Sequence, residues 1–345
     1  MIRIAINGFG RIGRSFFRAV YTLPSKASAK EGVPEFEIVA LNDLTDTKTL
    51  AYLLKYDSVY GRYLKSVDAE EAMLRVGGKD IKVLAEKDPA RLPWKDLGAD
   101  VIIESTGFFT DAAKAKAHLD AGAKRVVITA PAKGEVTTAL IGVNDDRFEN
   151  ALPITCNASC TTNSVAPVMA IIHKSFGVVK GSMSTVHGYT ATQKLVDGPD
   201  EKDLRRGRAA AINLVPSTTG AAEAVIQTIP QLQGKFDAVA IRVPVAAGSL
   251  SVMTVLVERA TNAEEVNKIF KEAAATSQWS CALKVVEDPL VSTDILGEPY
   301  GAIFDATLTK VTDGNLVQVF SWYDNEAGYT ATLVEHVRRI GARLS

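Results

Sequence analysis

Short apolar runs alternate with amphipathic stretches along the first half of the chain. The runs are rich in β-branched residues, which is typical of buried strands, whereas the stretches between them repeat apolar residues at helical spacing. Strands that alternate with helices predict a parallel sheet with right-handed crossovers. The predicted strands are Ile2–Ile6, Phe36–Leu41, Val101–Glu104 and Val126–Thr129, and the predicted helices are Ile12–Tyr21, Thr47–Leu54 and Asp111–Leu119.

After about residue 177, longer β-type runs predominate and predict an α+β domain with a mainly antiparallel sheet. Asp313-Gly314-Asn315 predicts a hairpin turn between the last two strands. The segment from Asn325 predicts a terminal helix, whose apolar face consists of Leu333, Val334, Val337 and Ile340. The other predicted elements are the strands Val178–His187, Ala238–Val245, Leu250–Val257, Ile303–Thr309 and Leu316–Trp322 and the helices Gly220–Ile229 and Ala263–Thr276.

Length and composition limit the class of protein. The 345 residues suggest about two domains. The formal net charge of −1 gives no electrostatic reason to expect nucleic acid or an anionic membrane as the main partner. No apolar run reaches the ~18 residues of a membrane span, and the first residues lack the pattern of a secretory signal. Three cysteines argue against a disulfide scaffold, so we expect a cytoplasmic location and a thiol available for chemistry.

A glycine motif follows the first predicted strand and opens the first helix. In Gly8-Phe9-Gly10-Arg11-Ile12-Gly13, the first glycine would make a tight turn, the second would let the backbone approach a pyrophosphate, and the third would allow close helix–strand packing. The N–H groups at the helix N-terminus would then bind the pyrophosphate. The context on both sides favours a dinucleotide site over a simple tight turn.

Asp43 is the candidate acid for the adenosine ribose of such a dinucleotide. It lies 30 residues after Gly13, whereas the usual spacing is roughly 20 residues. The excess is explained if Tyr21–Glu35 is an inserted, exposed loop. A carboxylate here would bind a ribose 2′-hydroxyl and repel a 2′-phosphate, which favours NAD over NADP. The alternative is that Asp43 is a turn residue at the end of a strand.

Cys160 lies where the next helical pattern begins, with Ser, Thr and Asn as its neighbours. The partial positive charge at a helix N-terminus favours a thiolate, which is the nucleophilic form of cysteine. We therefore predict that Cys160 is a nucleophile. Cys281 lies among apolar residues and is predicted to belong to the core, whereas the role of Cys156 stays open.

His187 is selected as the base for Cys160 by elimination among four histidines. His173 lies 13 residues along the same helix, which places it roughly 20 Å away. His118 is predicted to be solvated, and His336 to lie off the apolar face of the terminal helix. His187 ends a strand and precedes a glycine, where a side chain can point into a cleft; a structural core or surface histidine is the alternative.

A dinucleotide domain combined with a Cys–His pair indicates oxidation of an aldehyde through a thioester. Thiolate addition would give a hemithioacetal, whose hydride can pass to nicotinamide. Arg205, Arg206, Arg208 and Arg242 could bind an anionic substrate, although an arginine cluster is more often a solvated face.

The sequence resembles the phosphorylating, NAD-dependent glyceraldehyde-3-phosphate dehydrogenase family nearly from end to end. The most specific block is Asn157–Asn163, which surrounds Cys160. It occurs together with Asn7–Arg14, Ser105-Thr106-Gly107, His187 with Tyr189-Thr190, Asp197-Gly198-Pro199, Pro216–Ala222, Arg242-Val243-Pro244 and Trp322–Glu326.

This resemblance implies an α/β fold with a Rossmann doubly wound parallel sheet and an α+β catalytic domain with a mainly antiparallel sheet. The NAD-binding domain would be residues 1–158, completed by residues 325–345, and the catalytic domain would be residues 159–324. The implied reaction converts glyceraldehyde 3-phosphate, inorganic phosphate and NAD into 1,3-bisphosphoglycerate and reduced cofactor, in glycolysis or gluconeogenesis. A homotetramer without metal is implied, in which the loop of about Tyr189–Arg208 lines a neighbour's cofactor site.

Residue roles are carried over from the family onto matching positions. Cys160 would be the nucleophile and His187 its acid–base partner; Asn325 would hold the nicotinamide carboxamide, and Arg242 with Thr190 the substrate phosphate. The full cofactor set would be Asn7, Gly8, Gly10, Arg11, Ile12, Gly13, Asp43, Ser105, Thr106, Gly107, Thr129, Asn325 and Tyr329. The substrate and phosphate set would be Ser159, Thr161, Thr190, Arg205, Thr219, Gly220 and Arg242.

The chain departs from the family's pattern at Ser164, Gly188, Ala327 and Val245–Ser249. The Ser164 position is not essential to the implied mechanism, whereas at the other positions we expect effects on packing, interfaces and affinity. Three alternatives remain at this point. Erythrose-4-phosphate dehydrogenase shares the fold and the thiol, a non-phosphorylating aldehyde dehydrogenase would lack acyl transfer to phosphate, and a Rossmann-fold binding or regulatory protein would lack catalysis. The intact Cys160 and His187 argue against the last of these.

Overall fold

A computed structural model describes residues 1–22, 36–201 and 203–344 of the chain. It contains two compact units, one of residues 1–139, 145–158 and 333–345 and the other of residues 140–144 and 159–332. The domain limits predicted from the sequence are 1–158 with 325–345 for one domain and 159–324 for the other, and they remain a proposal. Of the predicted loop Tyr21–Glu35, only the first two residues lie within the described part, and they end a helix.

The first unit alternates strands with helices, as the hydrophobic pattern predicts. Its elements are β1 (Ile2–Asn7), α1 (Arg11–Thr22), β2 (Phe36–Asn42), α2 (Thr47–Lys55), β3 (Val67–Glu70), β4 (Met73–Val76), β5 (Lys79–Leu84), α3 (Trp94–Leu97), β6 (Val101–Glu104), α4 (Ala112–Asp120), β7 (Arg125–Ile128), β8 (Thr137–Thr138) and β9 (Ile154–Cys156). The predicted limits of the four strands and three helices agree with these to within one residue at each end.

The described strands of this unit form one sheet in the order β3-β4-β5-β2-β1-β6-β7-β9-β8. Neighbours from β5 to β8 run parallel, and β5-β2-β1-β6-β7-β9 is the doubly wound Rossmann order. The predicted Rossmann fold is confirmed. Because β1 and β6 are neighbours from opposite windings, the carboxyl ends of the central strands flank the crevice where such sheets bind ligands.

The second unit combines long strands with helices. Its elements are α5 (Cys160–Phe176), β10 (Val178–Gly188), β11 (Val215–Ser217), α6 (Ala221–Thr228), β12 (Phe236–Val243), β13 (Ser249–Val257), α7 (Ala263–Ala274), β14 (Leu283–Val286), β15 (Ala302–Asp305), β16 (Lys310–Thr312) and β17 (Leu316–Tyr323). The last helix, α8 (Ala327–Gly341), begins in this unit, and its residues from 333 onwards belong to the first unit. The described strands follow the order β11-β12-β10-β13-β17-β15-β14, and β16 pairs with β17. The predicted, mainly antiparallel sheet is confirmed, with β10–β12 and β14–β15 as parallel pairs.

One predicted strand is wrong in its length. Ile303–Thr309 was expected to be continuous, but the strand ends at Asp305, whose Oδ1 accepts hydrogen bonds from the backbone N and hydroxyl of Thr307 at 3.0 and 2.6 Å. These bonds form a turn, and the hairpin partner of β17 is instead β16. The predicted turn at residues 313–315 is confirmed, because Asp313 and Gly314 both have positive φ.

The terminal helix α8 is confirmed, and its predicted apolar face is buried. His336 is buried as well, and both of its ring nitrogens have partners. Thr155 Oγ1 lies 2.8 Å from its Nε2, and the Ala139 carbonyl lies 3.2 Å from its Nδ1. Burial lowers the pKa of His336 to about 4, so this imidazole is neutral at pH 7. Within the part of the chain that the structure describes, no helix is both long and apolar enough to cross a membrane.

Candidate active site

Cys160 is the first residue of helix α5, as predicted. Ser159 is the N-cap, and its Oγ accepts a hydrogen bond from the backbone N of Thr162 at 3.1 Å. The Asn163 side chain donates to the Ser159 carbonyl at 3.0 Å. These bonds fix the turn that starts the helix, so the thiol is presented at its N-terminal end.

His187 lies beside this thiol. It is the penultimate residue of β10, and its Nε2 lies 3.5 Å from Cys160 Sγ. The imidazole is buried, whereas Cys160 is half-buried. The structure therefore brings together the nucleophile and the base that the sequence predicts, at a distance suited to proton exchange.

Burial controls the charge of both groups. It raises the pKa of the Cys160 thiol, while the nearby Arg242 charge and hydrogen bonds from Thr161 act in the opposite direction. Burial and Arg242 lower the pKa of His187 to about 3. The imidazole is therefore neutral at pH 7 and can accept a proton, and the thiol needs such a base because burial opposes the thiolate that the helix N-terminus favours.

Nδ1 of His187 has two competing partners. The Gly188 carbonyl lies 2.6 Å from it and requires a proton on Nδ1, whereas Arg242 Nη1 lies 2.6 Å from it and can only donate. The first arrangement leaves Nε2 free to take the thiol proton, and the second places a proton on Nε2. The position of the Arg242 side chain therefore selects which form of the imidazole faces Cys160.

Tyr323 connects the two elements that carry the Cys–His pair. Its buried hydroxyl lies 3.0 Å from Thr161 Oγ1, at the start of α5, and 2.7 Å from Thr185 Oγ1, on β10. Its ring packs edge-on against His187, with 5.7 Å between the ring centres. The residue thus fixes the separation between the helix start and the strand end.

The remaining candidates for phosphate binding occupy loops and one helix start of the same unit. Thr190 is half-buried and lies 2.9 Å, oxygen to oxygen, from Thr192. Thr219 Oγ1 accepts from the backbone N of Ala221 at 3.2 Å, and Gly220 is the N-cap of α6 without a side-chain cap. Thr219 and Gly220 therefore lie at a helix N-terminus, which favours the binding of an anion.

Arg206, rather than the predicted Arg205, contacts the segment that precedes Thr219. Arg206 Nε donates to Ser217 Oγ at 2.8 Å and its Nη2 donates to the Thr218 carbonyl at 3.2 Å. The side chain of Arg205 is 61% exposed and pairs with Asp203. Sequence position alone did not separate the two arginines, because the short 3₁₀ helix Leu204–Gly207 that turns them in different directions has no periodic signal.

The predicted cofactor residues of the first unit follow the carboxyl ends of four neighbouring parallel strands. Asn7 ends β1, and Gly8 at φ +90° begins the glycine loop. A side chain at Gly8 would lie 2.6 Å from the Thr106 backbone N, whereas one at Gly10 would meet no atom within 4 Å. The loop is therefore closed towards the protein and open at Gly10, as a bound pyrophosphate requires. Asp43, Ser105–Gly107 and Thr129 follow β2, β6 and β7.

Asp43 fastens the glycine loop to the end of β2. Its Oδ2 accepts from the backbone N of Phe9 at 2.7 Å, and its Oδ1 accepts from Thr45 N at 2.9 Å. Arg11, at the first position of α1, is ion-paired with Asp57. The residues present therefore fit a dinucleotide, with a carboxylate for the ribose and a helix N-terminus for the phosphates.

A buried carboxylate that the sequence analysis missed supports this edge of the sheet. Glu104 Oε2 accepts from Asn7 Nδ2 at 2.6 Å and lies 3.0 Å from His118 Nε2, and its Oε1 accepts from the Thr106 backbone N at 2.9 Å. Trp94 donates to His118 Nδ1 at 2.9 Å, which leaves the imidazole proton on Nε2, directed at Glu104. The prediction that His118 is solvated is wrong, since it is fully buried.

Comparisons with known proteins agree with this arrangement. Residues 2–112 match the NAD-binding domain of glyceraldehyde 3-phosphate dehydrogenase, and residues 159–325 match its C-terminal domain. A curated glyceraldehyde-3-phosphate dehydrogenase of Thermotoga maritima is 53% identical over 97% of this chain and 98% of its own length. Those of Mycobacterium avium and Mycolicibacterium smegmatis are 49% and 50% identical over 99% of each chain.

The chain belongs to the glyceraldehyde-3-phosphate dehydrogenase family. It is an NAD-dependent oxidoreductase, and the predicted cofactor is confirmed.

Two of the chain's departures from the family's pattern are well accommodated. Ser164, four residues after Cys160, is buried and donates to Ser321 Oγ at 3.0 Å. Ala327 is half-buried at the start of α8, where its backbone N donates to Asp324 Oδ1 at 2.9 Å.

The other cysteines differ from Cys160. Cys156 is buried, with its Sγ 3.3 Å from Thr138 Oγ1. Cys281 is half-buried, which makes it less enclosed than the core residue predicted.

Proposed function

We propose that the protein oxidises glyceraldehyde 3-phosphate in the presence of inorganic phosphate and NAD to give 1,3-bisphosphoglycerate. The observation that carries this proposal is the Cys160–His187 pair at the N-terminus of α5, with Sγ and Nε2 3.5 Å apart and Arg242 in contact with the imidazole. A thiol next to a neutral imidazole suits covalent aldehyde chemistry, and a guanidinium beside it suits a phosphorylated substrate.

Each residue has a defined task in this reaction. His187 takes the Cys160 proton, and the sulfur forms a bond to the aldehyde carbon. The protonated imidazole returns this proton to the aldehyde oxygen, which gives a thiohemiacetal and leaves His187 neutral. Bound NAD supplies the acceptor for the hydride that this carbon loses. His187 removes the hydroxyl proton, which leaves an acyl thioester on Cys160. A phosphate oxygen then attacks the acyl carbon, the carbon–sulfur bond breaks, and the thiolate recovers its proton from His187.

The phosphate groups would be held by cationic and N–H donors. Arg242 and Thr190 would bind the substrate phosphate, while Ser159, Thr161, Thr219 and Gly220 would bind the attacking phosphate. We assign the assisting arginine to Arg206 in preference to Arg205, because Arg206 contacts the Ser217–Thr218 segment beside Thr219. Asn325 and Tyr329 would contact the nicotinamide. The rest of the cofactor would be bound by the other members of the predicted cofactor set, which are Asn7, Gly8, Gly10, Arg11, Ile12, Gly13, Asp43, Ser105, Thr106, Gly107 and Thr129.

Initial rates of NAD reduction test the proposed function. Glyceraldehyde 3-phosphate should give NADH only when inorganic phosphate is present, and Cys160→Ala should abolish the reaction. General acid–base help contributes ~10²–10⁴-fold, so His187→Asn should lower kcat by about that factor without eliminating it. Substantial phosphate-dependent activity in Cys160→Ala would contradict the assignment.

A panel of substrates separates the related activities. Faster oxidation of erythrose 4-phosphate would favour that sister activity, and turnover without phosphate would favour a non-phosphorylating enzyme. A chain that binds NAD but oxidises none of these aldehydes would favour the regulatory alternative.

We further propose a homotetramer that acts in the cytoplasm, in glycolysis or gluconeogenesis. Several exposed apolar side chains of the loop after β10 support a subunit interface. They are Leu195, Val196 and Leu204.

A further inference from the structure

One hydroxyl joins the strand end that carries His187 to the side chain of Asn325. Strand β13 lies between β10 and β17, and Ser249 is opposite His187 on one side and Tyr323 on the other. Ser249 Oγ accepts from the backbone N of Gly188 at 3.3 Å and donates to Asn325 Oδ1 at 3.3 Å. Ser249 is 2% exposed, so solvent does not compete for either partner.

The orientation of the Asn325 amide follows from these contacts. Its Oδ1 accepts a second hydrogen bond, from the backbone N of Gly248 at 3.0 Å. Because Gly248 N and Ser249 Oγ both donate, the Asn325 atom that faces them must be the oxygen. A flipped amide would place its NH₂ group next to the Gly248 N–H, and two donors would then face each other. Nδ2 is therefore the group that Asn325 can offer to a carbonyl oxygen such as that of a carboxamide.

The backbone of Asn325 is fixed independently of its side chain. The preceding residue, Asp324, is fully buried, and its carboxylate accepts from the backbone N of Gly297 at 2.8 Å and from those of Glu326 and Ala327 at 2.9 Å. Loss of the Ser249 hydroxyl would consequently remove one of the two hydrogen bonds that hold Asn325 Oδ1 and leave the main chain of Asn325 in place.

At the other end, Ser249 fixes the peptide that borders the catalytic imidazole. Its partner N–H belongs to Gly188, whose carbonyl lies 2.6 Å from His187 Nδ1. A side chain at Gly188 would lie 2.9 Å from the Val245 carbonyl, and one at Gly248, which has φ +91°, would lie 2.8 Å from the Ser292 carbonyl. Gly188 and Gly248, which both lie at departures from the family's pattern, therefore allow their backbones to pack this closely against the Val245 and Ser292 carbonyls.

We propose that Ser249 is a positioning residue that couples the engagement of the nicotinamide carboxamide by Asn325 to the orientation of the His187 imidazole. This inference rests on the role proposed for Asn325 under the proposed function. Hydrogen bonds in a buried chain polarise one another, so a carboxamide that binds Nδ2 strengthens the bonds behind it, from Ser249 to Asn325 and from Gly188 to Ser249. Coupling of this kind is reciprocal: His187 and the cofactor each affect the other's environment.

Ser249→Ala tests the coupling, and Ser251→Ala is its matched control. Ser251 lies on the same face of β13 and is equally buried, but its hydroxyl has no hydrogen-bond partner within the described residues. We expect Ser249→Ala to weaken NAD binding about five- to tenfold, as the loss of one or two buried hydrogen bonds implies. Ser251→Ala should bind NAD like the unmodified protein.

A second readout follows the Cys–His pair directly. The rate of Cys160 alkylation by iodoacetamide is measured against pH, with and without NAD, on the peptide that contains Cys160. Steric shielding by NAD scales this rate but leaves its pH midpoint unchanged, whereas reorientation of His187 shifts the midpoint. We expect NAD to shift the midpoint in the unmodified protein and in Ser251→Ala, and to shift it little in Ser249→Ala.

A midpoint shift that persists in Ser249→Ala, or equal losses of NAD affinity in both variants, would overturn the proposal. Hydrogen exchange of the peptide that contains the Gly188 amide needs no variant: NAD should slow it, and unchanged exchange would contradict the coupling. None of these measurements uses glyceraldehyde 3-phosphate. Absence of phosphate-dependent oxidation would therefore refute the proposed function and leave the NAD-dependent measurements intact.

Discussion

At the scale of single residues, Arg242 has two effects on the Cys–His pair. Its charge stabilises a Cys160 thiolate and destabilises a protonated His187, and its Nη1 occupies the Nδ1 side of the imidazole. A substrate phosphate that attracts the guanidinium would free Nδ1 to donate to the Gly188 carbonyl. His187 would then present an unprotonated Nε2 to the thiol, so arrival of the substrate would prepare the base.

Replacement of Arg242 by glutamine should raise the pKa of His187 from about 3 towards its ordinary value of 6.5, because one of the two causes that lower it is removed. The sign follows from electrostatics, since a neighbouring positive charge disfavours imidazolium. NMR titration of isotope-labelled histidine in the apo protein measures this shift. Arg208→Gln is the control, because Arg208 is 62% exposed and pairs with Asp197. A titration of His187 that is the same in Arg242→Gln and in the unmodified protein would contradict the effect.

We expect Asp43 to determine which form of the cofactor the first unit prefers. Asp43→Asn retains an oxygen that can accept from Phe9 N but removes the charge that repels a 2′-phosphate. We expect the ratio of kcat/KM for NAD to that for NADP to fall at least about tenfold, which corresponds to ~1.4 kcal/mol. Asp46→Asn removes a nearby charge from the exposed N-cap of α2, and it should leave the ratio unchanged. An unchanged ratio in Asp43→Asn would mean that another residue excludes NADP.

At the scale of secondary-structure elements, Tyr323 sets the spacing between α5, β10 and β17. Tyr323→Phe leaves the hydroxyls of Thr161 and Thr185 without this partner in a buried site. The free energy of unfolding should fall by ~1–3 kcal/mol, as measured by urea denaturation, and the alkylation rate of Cys160 should change. Tyr63→Phe is the control, because the Tyr63 hydroxyl is buried without a partner in the described structure. Equal stability of the two variants would refute the bridging role.

The elements predicted well are those with a marked apolar pattern. Strand β6 follows a short apolar run and is buried at every position, and α5 begins at Cys160, which was predicted to lie at or near the start of a helix. Strand β3 was not predicted, because three of its four residues are exposed and show no alternation. His118 was misplaced because its neighbours Lys116 and Asp120 are polar. The spacing of Ala112, Ala115 and His118 on one helical face would have indicated burial.

The chemistry of the site could be predicted only in part from the sequence. Cys160 is predicted as the nucleophile because a helix N-terminus has a local sequence signal, and His187 is predicted as its base because few other histidines remain; the structure places their Sγ and Nε2 3.5 Å apart. Glu104 and Ser249 gave no such signal. The partners Asn7 and His118 of Glu104 lie 97 and 14 residues away, and the partners Gly188 and Asn325 of Ser249 lie 61 and 76 residues away. Only the tertiary fold brings these residues together.

At the scale of the whole molecule, the sheet of the second unit has an apolar face that its helices leave partly exposed. Strand register places Val186, Leu250 and Trp322 in one row and Ser184, Val252 and Phe320 in the next. These side chains are half-buried, and Val239, which pairs with Ser184, is 41% exposed. A contiguous apolar face of this kind suits a self-complementary contact with a second copy of the chain.

Val252→Asp should therefore weaken the proposed homotetramer. The charge would lie at the centre of this face, where a partner surface would have to desolvate it, and a lone buried charge is strongly unfavourable. Val252 alternates with inward-facing residues of β13, so the core of the unit should remain intact and the circular dichroism spectrum should not change. Sedimentation velocity should show smaller species than for the unmodified protein, whereas Leu152→Asp, at a surface position that is 42% exposed in the first unit, should not alter the assembly. A tetramer that survives Val252→Asp at low micromolar concentration would assign the subunit contacts to other surfaces, such as the loop after β10.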